Sequence, residues 1–414
     1  MKKKAAAAAP VPVRHVIWLG WKLVVVFSFA LFFYALIRLH FSAEISSPTK
    51  YLSRARLRSR IPRYNNINGT PKIAFLFLSR FNLPLDFLWG GFFEVRNKNP
   101  SFLFPPLSPK FNLFLYGNLL QNADRANFSI YIHSAPGFVF DESTSRSHFF
   151  YNRQLTDSIQ VAWGESSMIE AERLLLANAL DDPTNQRFVL LSDSCVPLYN
   201  FSYIYRYLMA SPRSFVDSFL DSKDGRYHPK MFPVIPRNKW RKGSQWISLI
   251  RSHAEVVVDD EVVLPVFKKF CKRRPPVDTS KGRLNIKLQK QHNCIPDEHY
   301  VPTLFAMSGL EGEIERRSLT YTLWNQSVTK MDNKAWHPVT FNYADVSPKR
   351  LKEIKDINHI YYESESRTEW CRVNSTSVPC FLFARKFSRG AAMRLLSEGV
   401  VAPFDASSLL GSSS

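Results

Sequence analysis

Apolar runs that stop abruptly at short polar turns recur through the first half of the chain. Lys72-Ile73-Ala74-Phe75-Leu76-Phe77-Leu78 ends at Ser79-Arg80. A run without apolar–polar alternation predicts a strand covered on both faces. The pattern returns at Asn127–His133, which ends at Ser134-Ala135-Pro136-Gly137. It returns again at Ile159–Ala162, which ends at Trp163-Gly164-Glu165, and at Arg187–Leu191, which ends at Ser192-Asp193-Ser194. Between these runs, helical spacing predicts helices over 108–123 and Met168–Leu180. Strands alternating with helices predict an α/β fold, a Rossmann-type mixed sheet flanked by helices. Ligands of such sheets lie across the carboxyl ends of the strands, so the polar turns are expected to converge on one crevice.

The second half is less regular. Phe215–Phe219 reads as a strand, and Lys242–Leu249 leads into a strand or a helix start. Lys268–Lys290 is strongly basic and reads as an exposed loop. At Pro296-Asp297-Glu298-His299-Tyr300 a proline precedes two acids and an apolar run. Proline suits the first helical turn, and acids there meet the positive end of the helix dipole. A helix is therefore expected from Pro296. A carboxylate at its mouth is either a capping group or a general base. Further on, 348–356 and 389–398 read as helices and Phe381–Ser388 as a strand-like run.

The first forty residues follow a different pattern. Val16–Ile37 is apolar and aromatic, interrupted only by Gly20, Lys22 and Ser28. About 20 such residues cross a bilayer as a helix. The run is long and lacks a small-residue cleavage site, which favours an anchor over a cleaved signal peptide. The expected layout is a cytoplasmic tail (1–15), a transmembrane signal-anchor (16–40), a polar stem (41–70), a luminal domain (71–400) and a disordered tail (401–414). Luminal sequons stand at Asn68, Asn127, Asn200, Asn325 and Asn374, with Asn127 at the lip of a strand and expected to be inaccessible. In an oxidising lumen Cys371 and Cys380 could close a short loop and Cys271 could reach Cys294, leaving Cys195 as a buried thiol. The bland alternative leaves all five reduced.

Composition then narrows the chemistry. With 414 residues, 45% of them hydrophobic, the chain can bury a large core. A net charge of +20 points to polyanions: nucleic acid, headgroups or phosphorylated substrates. The anchor and the lack of a nucleic-acid motif argue against nucleic acid as a partner. Neither a Gly-x-Gly-x-x-Gly nor a Walker A sequence is present. Asp193-Ser194-Cys195 stands at a strand end where many sugar-nucleotide enzymes carry Asp-x-Asp for a metal, but it lacks the second acid. A diphosphate here would be met by cations such as Arg385-Lys386.

Five segments in this order resemble one family: Ile130-Tyr131-Ile132-His133, Leu190–Leu198, Lys242-Gly243-Ser244-Gln245-Trp246, Pro296–Tyr300 and Leu382-Phe383-Ala384-Arg385-Lys386-Phe387. Together they resemble the plant branch of the core-2/I-branching β-1,6-N-acetylglucosaminyltransferases, over roughly 72–398. The resemblance implies a GT-A-like fold, Golgi type II topology, inverting transfer from a UDP-sugar to a glycan or glycoprotein, and no metal. It implies that Glu298 is the base, with Asp297 left to capping, and that Lys386 meets the diphosphate. The companion arginine is Arg367 or Arg372. Arg385, Ser79, Arg80, His133, Trp163 and Asp193 are expected around the nucleotide, and Trp246, Ser244 and Lys242 around the acceptor. The family's short disulfide loop is echoed by Cys371 and Cys380. The competing expectation is a non-catalytic glycan-binding or scaffold protein on the same fold.

Overall fold

Strand β1 (Lys72–Leu78) lies between parallel neighbours β2 (Phe128–His133) and β3 (Asn185–Ser192). Its side chains enter two separate cores: Ile73, Phe75 and Phe77 one, Ala74, Leu76 and Leu78 the other. That is why the sequence shows no alternation, since each face of the strand has its own apolar cover. The computed structural model describes residues 22, 24–34, 69–94, 125–223, 225–273, 293–324, 337–373 and 375–399.

The first core holds α1 (Asp86–Phe93) and its Trp89–Phe92–Phe93 aromatic cluster around Phe75. The second holds α2 (Ser167–Leu180), which supplies Ile169, Leu175 and Leu176. After β3 come β4 (Val196–Pro197), α3 (Phe201–Ala210), β5 (Ser214–Phe215), β6 (Phe219–Leu220), β7 (Arg241–Lys242) and β8 (Ser248–Ile250). Next are α4 (Arg251–Val258), α5 (Val263–Phe270), α6 (Pro296–Ser308), β9 (Ile314–Glu315), β10 (Thr320–Thr322) and α7 (Pro348–Lys355). The chain closes with β11 (His359–Tyr362), β12 (Arg367–Trp370), β13 (Arg372–Val373), β14 (Thr376–Ser377), β15 (Phe383–Arg385) and α8 (Arg389–Ser397). Helices α3, α7 and α8 pack into the first core, and α4, α5 and α6 into the second.

The main sheet is mixed, with six strands in the order β2-β1-β3-β8-β5-β9. Strand β8 runs antiparallel to both β3 and β5. A second sheet, β10-β15-β4, sets β15 antiparallel to β4. There Ala384 pairs with Val196 and the Phe387 N–H donates to the Ser194 carbonyl at 3.0 Å, which carries Arg385-Lys386 to the turn after β3.

Several expectations change. Ile159–Ala162 is not a strand. The edge of β2 is taken instead by Gln154, bridged to Ile132, where Ile132 N–H donates to Arg153 O and Leu155 N–H to Ile132 O. Phe215–Phe219 splits, because Phe215 pairs with Ser248 in the main sheet while Phe219 pairs with Lys242. Lys268–Phe270 belongs to α5, and 274–292 lie outside the described residues, as does the expected helix at 108–123.

Helix α6 begins at Pro296 as expected and ends at Gly309, whose φ of 71° is the left-handed cap glycine tolerates. Pro302 sits inside it. Proline has no N–H for the carbonyl four residues earlier, so the Glu298 carbonyl is released. The Gly243 N–H donates to it at 2.8 Å, docking the β7 loop on the helix start.

Disulfides join Cys271 to Cys294 and Cys371 to Cys380, and Cys195 is free and buried. Of the sequons, Asn68, Asn325 and Asn374 lie outside the described residues. Asn200 caps α3, its side chain accepting from Tyr203 N–H at 3.0 Å, and Asn127 is half-buried just before β2.

The chain divides into two compact units, Met1–Ser53 and Arg54–Ser414. The expected anchor at 16–40 lies mostly outside the described residues. Its described part, 22 and 24–34, is helical with exposed Val24, Phe27, Phe29 and Phe32. Among the described residues no helix is long and apolar enough to cross a membrane. The 401–414 tail is outside them too, as is the stem apart from Gly69 and Thr70.

Candidate active site

A cleft of about 480 Å³ opens where β1, β2 and β3 end. Strand β1 delivers Ser79 and Arg80 to it, β2 delivers His133 and Ser134, and β3 delivers Asp193 and Ser194. Trp163 comes from the loop before α2, Gln245 and Trp246 from the loop before β8, and Arg385-Lys386 from the end of β15. The turns that end the apolar runs therefore do converge, as the carboxyl edge of an α/β sheet dictates. Gln245, Ser134 and His337 also line the cleft. Sequence reasoning missed their roles, although Ser134 and Gln245 stand in segments it singled out.

Positive charge dominates this cleft. The Arg385 guanidinium stacks 4.3 Å over the Trp246 ring, and its buried Nε has no hydrogen-bond partner among the described residues. Burial, then Arg385 and Arg80, push the Lys386 pKa down. Burial, then Lys386, Arg80, Arg273 and Arg385, push His337 down as well. Asp193 is the one acid lining the cleft among the described residues. Crowded like charges with so little compensation make an anion site, since a bound polyanion relieves their repulsion.

The same cleft holds polar groups with no hydrogen-bond partner among the described residues. His133 Nε2 accepts from the Ile159 N–H at 3.1 Å, which leaves the proton on Nδ1 in the neutral ring. Burial lowers the pKa of this ring and favours that neutral form. Among the described residues Nδ1 is buried and unpartnered, and so is the Ser134 hydroxyl. The Ser79 hydroxyl is not available in the same way, because it donates to Asn82 O at 2.6 Å.

The two acids at the start of α6 separate completely. Glu298 forms an ion pair with Lys242 of β7 and keeps 28% of its side chain exposed. Burial works to raise its pKa, but the charge and hydrogen bond of Lys242 hold it below the usual value. Asp297 is buried and its Oδ1 has no hydrogen-bond partner among the described residues. Burial, then the charge of Glu298, push its pKa up to about 7. Behind it on α2, Glu172 is raised well above the ordinary carboxylate range by burial and by Asp297, and accepts from Gln245 Nε2 at 2.7 Å. Asp297 is therefore electrostatically linked to a second buried carboxyl group, Glu172.

His299 faces away from this pair. Its Nδ1 lies 2.8 Å from the Ile295 carbonyl and its Nε2 3.1 Å from Asp221, while the ring stacks on Trp240. Burial works to raise the Asp221 pKa, yet His299 and Arg226 hold it at about 2. The imidazole braces the helix start.

The Lys242-Gly243-Ser244 loop is pinned from below. Ser244 N–H donates to Asp217 Oδ2 at 2.9 Å, and Tyr362 OH donates to Asp217 Oδ1 at 2.5 Å. Gly243 is required there, since a Cβ would sit 1.8 Å from the Asp217 carbonyl oxygen. Trp246 lies in the cleft beneath Arg385, apart from its expected companions Lys242 and Ser244, which do not line the cleft.

Neither expected companion arginine lines the cleft. Arg367 is engaged by Glu365 and Glu369, donates to Ser218 O at 3.1 Å and lies over the Tyr362 ring. Arg372 is exposed on β13. Arg80 and Arg273 are the arginines that, with Arg385, act on the same imidazole as Lys386. Among the described residues no group of three or more His, Cys, Asp or Glu side chains is placed to hold a metal ion.

The family model described as Core-2/I-Branching enzyme matches residues 112–355, a span that includes His133, Asp193, Lys242, Glu298 and His337. The chain is 51% identical over 345 residues to a protein named Glycosyltransferase BC10 from Oryza sativa subsp. japonica. That alignment covers 82% of this chain and 80% of the rice protein.

Proposed function

The chain belongs to the core-2/I-branching enzyme family, and from that premise we propose that it is a Golgi type II membrane glycosyltransferase with a GT-A-like fold. In this reading it transfers a sugar, N-acetylglucosamine or another UDP-linked sugar, to a glycan or glycoprotein acceptor, with inversion and without a metal. The single observation that carries it is the cleft itself. Arg80, Arg385 and Lys386 line it without a carboxylate ion pair among the described residues, beside the unpartnered His133 Nδ1 and Ser134 hydroxyl. Such a cleft fits an anion joined to a neutral polar group, which is what a nucleoside diphosphate is.

The chemistry follows from two neighbouring sets of groups: the cations that line the cleft, and Glu298, which does not line it but acts electrostatically on Arg385. An acceptor hydroxyl gives its proton to Glu298 as its oxygen bonds to the anomeric carbon. The bond from that carbon to the diphosphate oxygen breaks, and its electron pair leaves with UDP. Arg80, Arg385 and Lys386 take up the charge that develops there, the interaction that strengthens most in the transition state. Attack from the face opposite the leaving group inverts the anomeric centre. Lys242 keeps Glu298 ionised before the acceptor arrives. Metal independence rests on residue types: the cleft's neutralising charge comes from cationic side chains, with Asp193 its single acid among the described residues.

The test is UDP release by the detergent-purified full chain over a panel of UDP-sugars, with and without glycan acceptors. Turnover of one donor in the presence of EDTA supports the reading. Binding of no UDP-sugar at all would sink it, and loss of turnover on chelation would remove the metal-free part. A glycosidase-sensitive mass on the cellular protein checks the luminal orientation.

A further inference from the structure

We propose that Arg273 is a further anion-holding residue of the donor cleft, positioned there by the Cys271–Cys294 disulfide; this rests on reading the cleft as a nucleoside-diphosphate site. Arg273 follows α5 and stands two residues past Cys271. Arg273 is not itself among the lining residues; its guanidinium lies 4.3 Å over the ring of Trp163, which is. The Trp163 ring is in turn 5.0 Å from the ring of His337, which also lines the cleft. Arg273 acts electrostatically on His337 together with Lys386, Arg80 and Arg385, so cations from separate elements converge on one imidazole.

The surroundings leave this guanidinium available. The nearby acids are held by its lysine neighbours, Glu165 by Lys272 at 3.6 Å and Glu170 by Lys268 at 3.1 Å. Arg273 itself makes no ion pair with a carboxylate among the described residues. A planar guanidinium with one face on an indole keeps its edge N–H groups free for two phosphate oxygens.

The chain also makes room for it. Gly164 has φ +76°, and a Cβ there would meet Arg273 Cδ at 2.5 Å. The arginine stem occupies the place a side chain at 164 would take.

The disulfide explains why a residue near the end of a helix holds its place. Cys271 and Cys294 are both fully buried, and the Cys294 N–H donates to the Lys272 carbonyl at 3.1 Å. Cys294 lies two residues before Pro296, the start of α6. One covalent link thus ties the Arg273 segment to the helix that carries Glu298.

The experiment measures binding of inorganic pyrophosphate, UDP and uridine to the full chain and to Arg273→Ala, Arg273→Lys and Cys294→Ser, with melting curves to confirm folding. Loss of one charge-assisted contact is worth about 1.5–3 kcal/mol. Arg273→Ala is therefore expected to weaken pyrophosphate and UDP by about tenfold or more and to leave uridine unchanged. Arg273→Lys recovers part of the loss, and Cys294→Ser shifts both anions the same way. Unchanged pyrophosphate affinity in folded Arg273→Ala overturns the proposal, and unchanged affinity in folded Cys294→Ser overturns the tether. Arg273-dependent pyrophosphate binding without any uridine or UDP preference upholds Arg273 while removing the nucleotide reading. A wild-type chain that binds neither anion removes both.

Discussion

Lys242 on β7 and Glu298 in the first turn of α6 form an ion pair across 56 residues of sequence. Backbone locks it as well, since Gly243 N–H, next to the lysine, donates to the carbonyl of Glu298 itself. The carboxylate is thus ionised, oriented and partly open. General-base contributions of this kind amount to about 10²–10⁴ in rate. Glu298→Gln is expected to lower kcat by that order and to leave UDP affinity unchanged, measured by initial rates and by titration with UDP.

Lys242→Met should move the pH profile. Glu298 must be ionised to act, so activity rises with pH through its pKa. Lys242 holds that pKa down, and removing it raises it. The acidic limb of kcat/KM is therefore expected to shift to higher pH in the variant. An unmoved limb would show that another group sets it.

Asp297 should appear in stability more than in rate. Its folded pKa, about 7, lies above the unfolded value near 4. A raised acid contributes stability that is complete below the unfolded pKa and is lost as pH rises through the folded one. Wild-type stability should fall between about pH 4 and pH 7, and Glu172 adds a loss of the same sign. Urea midpoints at the two ends of that window should differ less in Asp297→Asn than in wild type.

Lys386→Ala removes a half-buried ammonium from the anion end of the donor site. A contact to a charged group is worth about 1.5–3 kcal/mol. UDP affinity should drop roughly tenfold or more, with uridine affinity little changed. An equal loss for both ligands would mean that the lysine shapes the pocket and does not meet the diphosphate.

Gly243→Ala places a methyl group 1.8 Å from the Asp217 carbonyl oxygen, which is backbone and cannot swing aside. Overpacking of this kind costs about 1–3 kcal/mol. The variant should melt several degrees lower, and its kcat/KM should fall because the loop carrying Lys242 must move.

Much of this was written locally. The apolar runs of β1, β2 and β3 lack alternation because both sheet faces are covered, and the turns that end them line the cleft. The start of α6 was legible from Pro296 and the acids behind it. Strands β5, β8 and β9 span only two or three residues, too few to carry a periodic signal, so the antiparallel half of the sheet was not. Ile159–Ala162 has a strand's composition, but whether it pairs depends on what else reaches the edge of β2, and Gln154 does. The electrostatic cause that separates Asp297 from Glu298 was also out of reach. It is set by Lys242 on β7 and Glu172 on α2, groups distant in sequence. The same holds for the arginines, where Glu365 and Glu369 engage Arg367 while Arg80 comes to Lys386 from the end of β1. Sequence by itself determined which segments are buried and where polar groups interrupt them, because those follow from neighbours a few residues apart. Only the tertiary structure decided which charges meet, because a side chain's pKa and partners are set by what folding brings within a few ångströms of it.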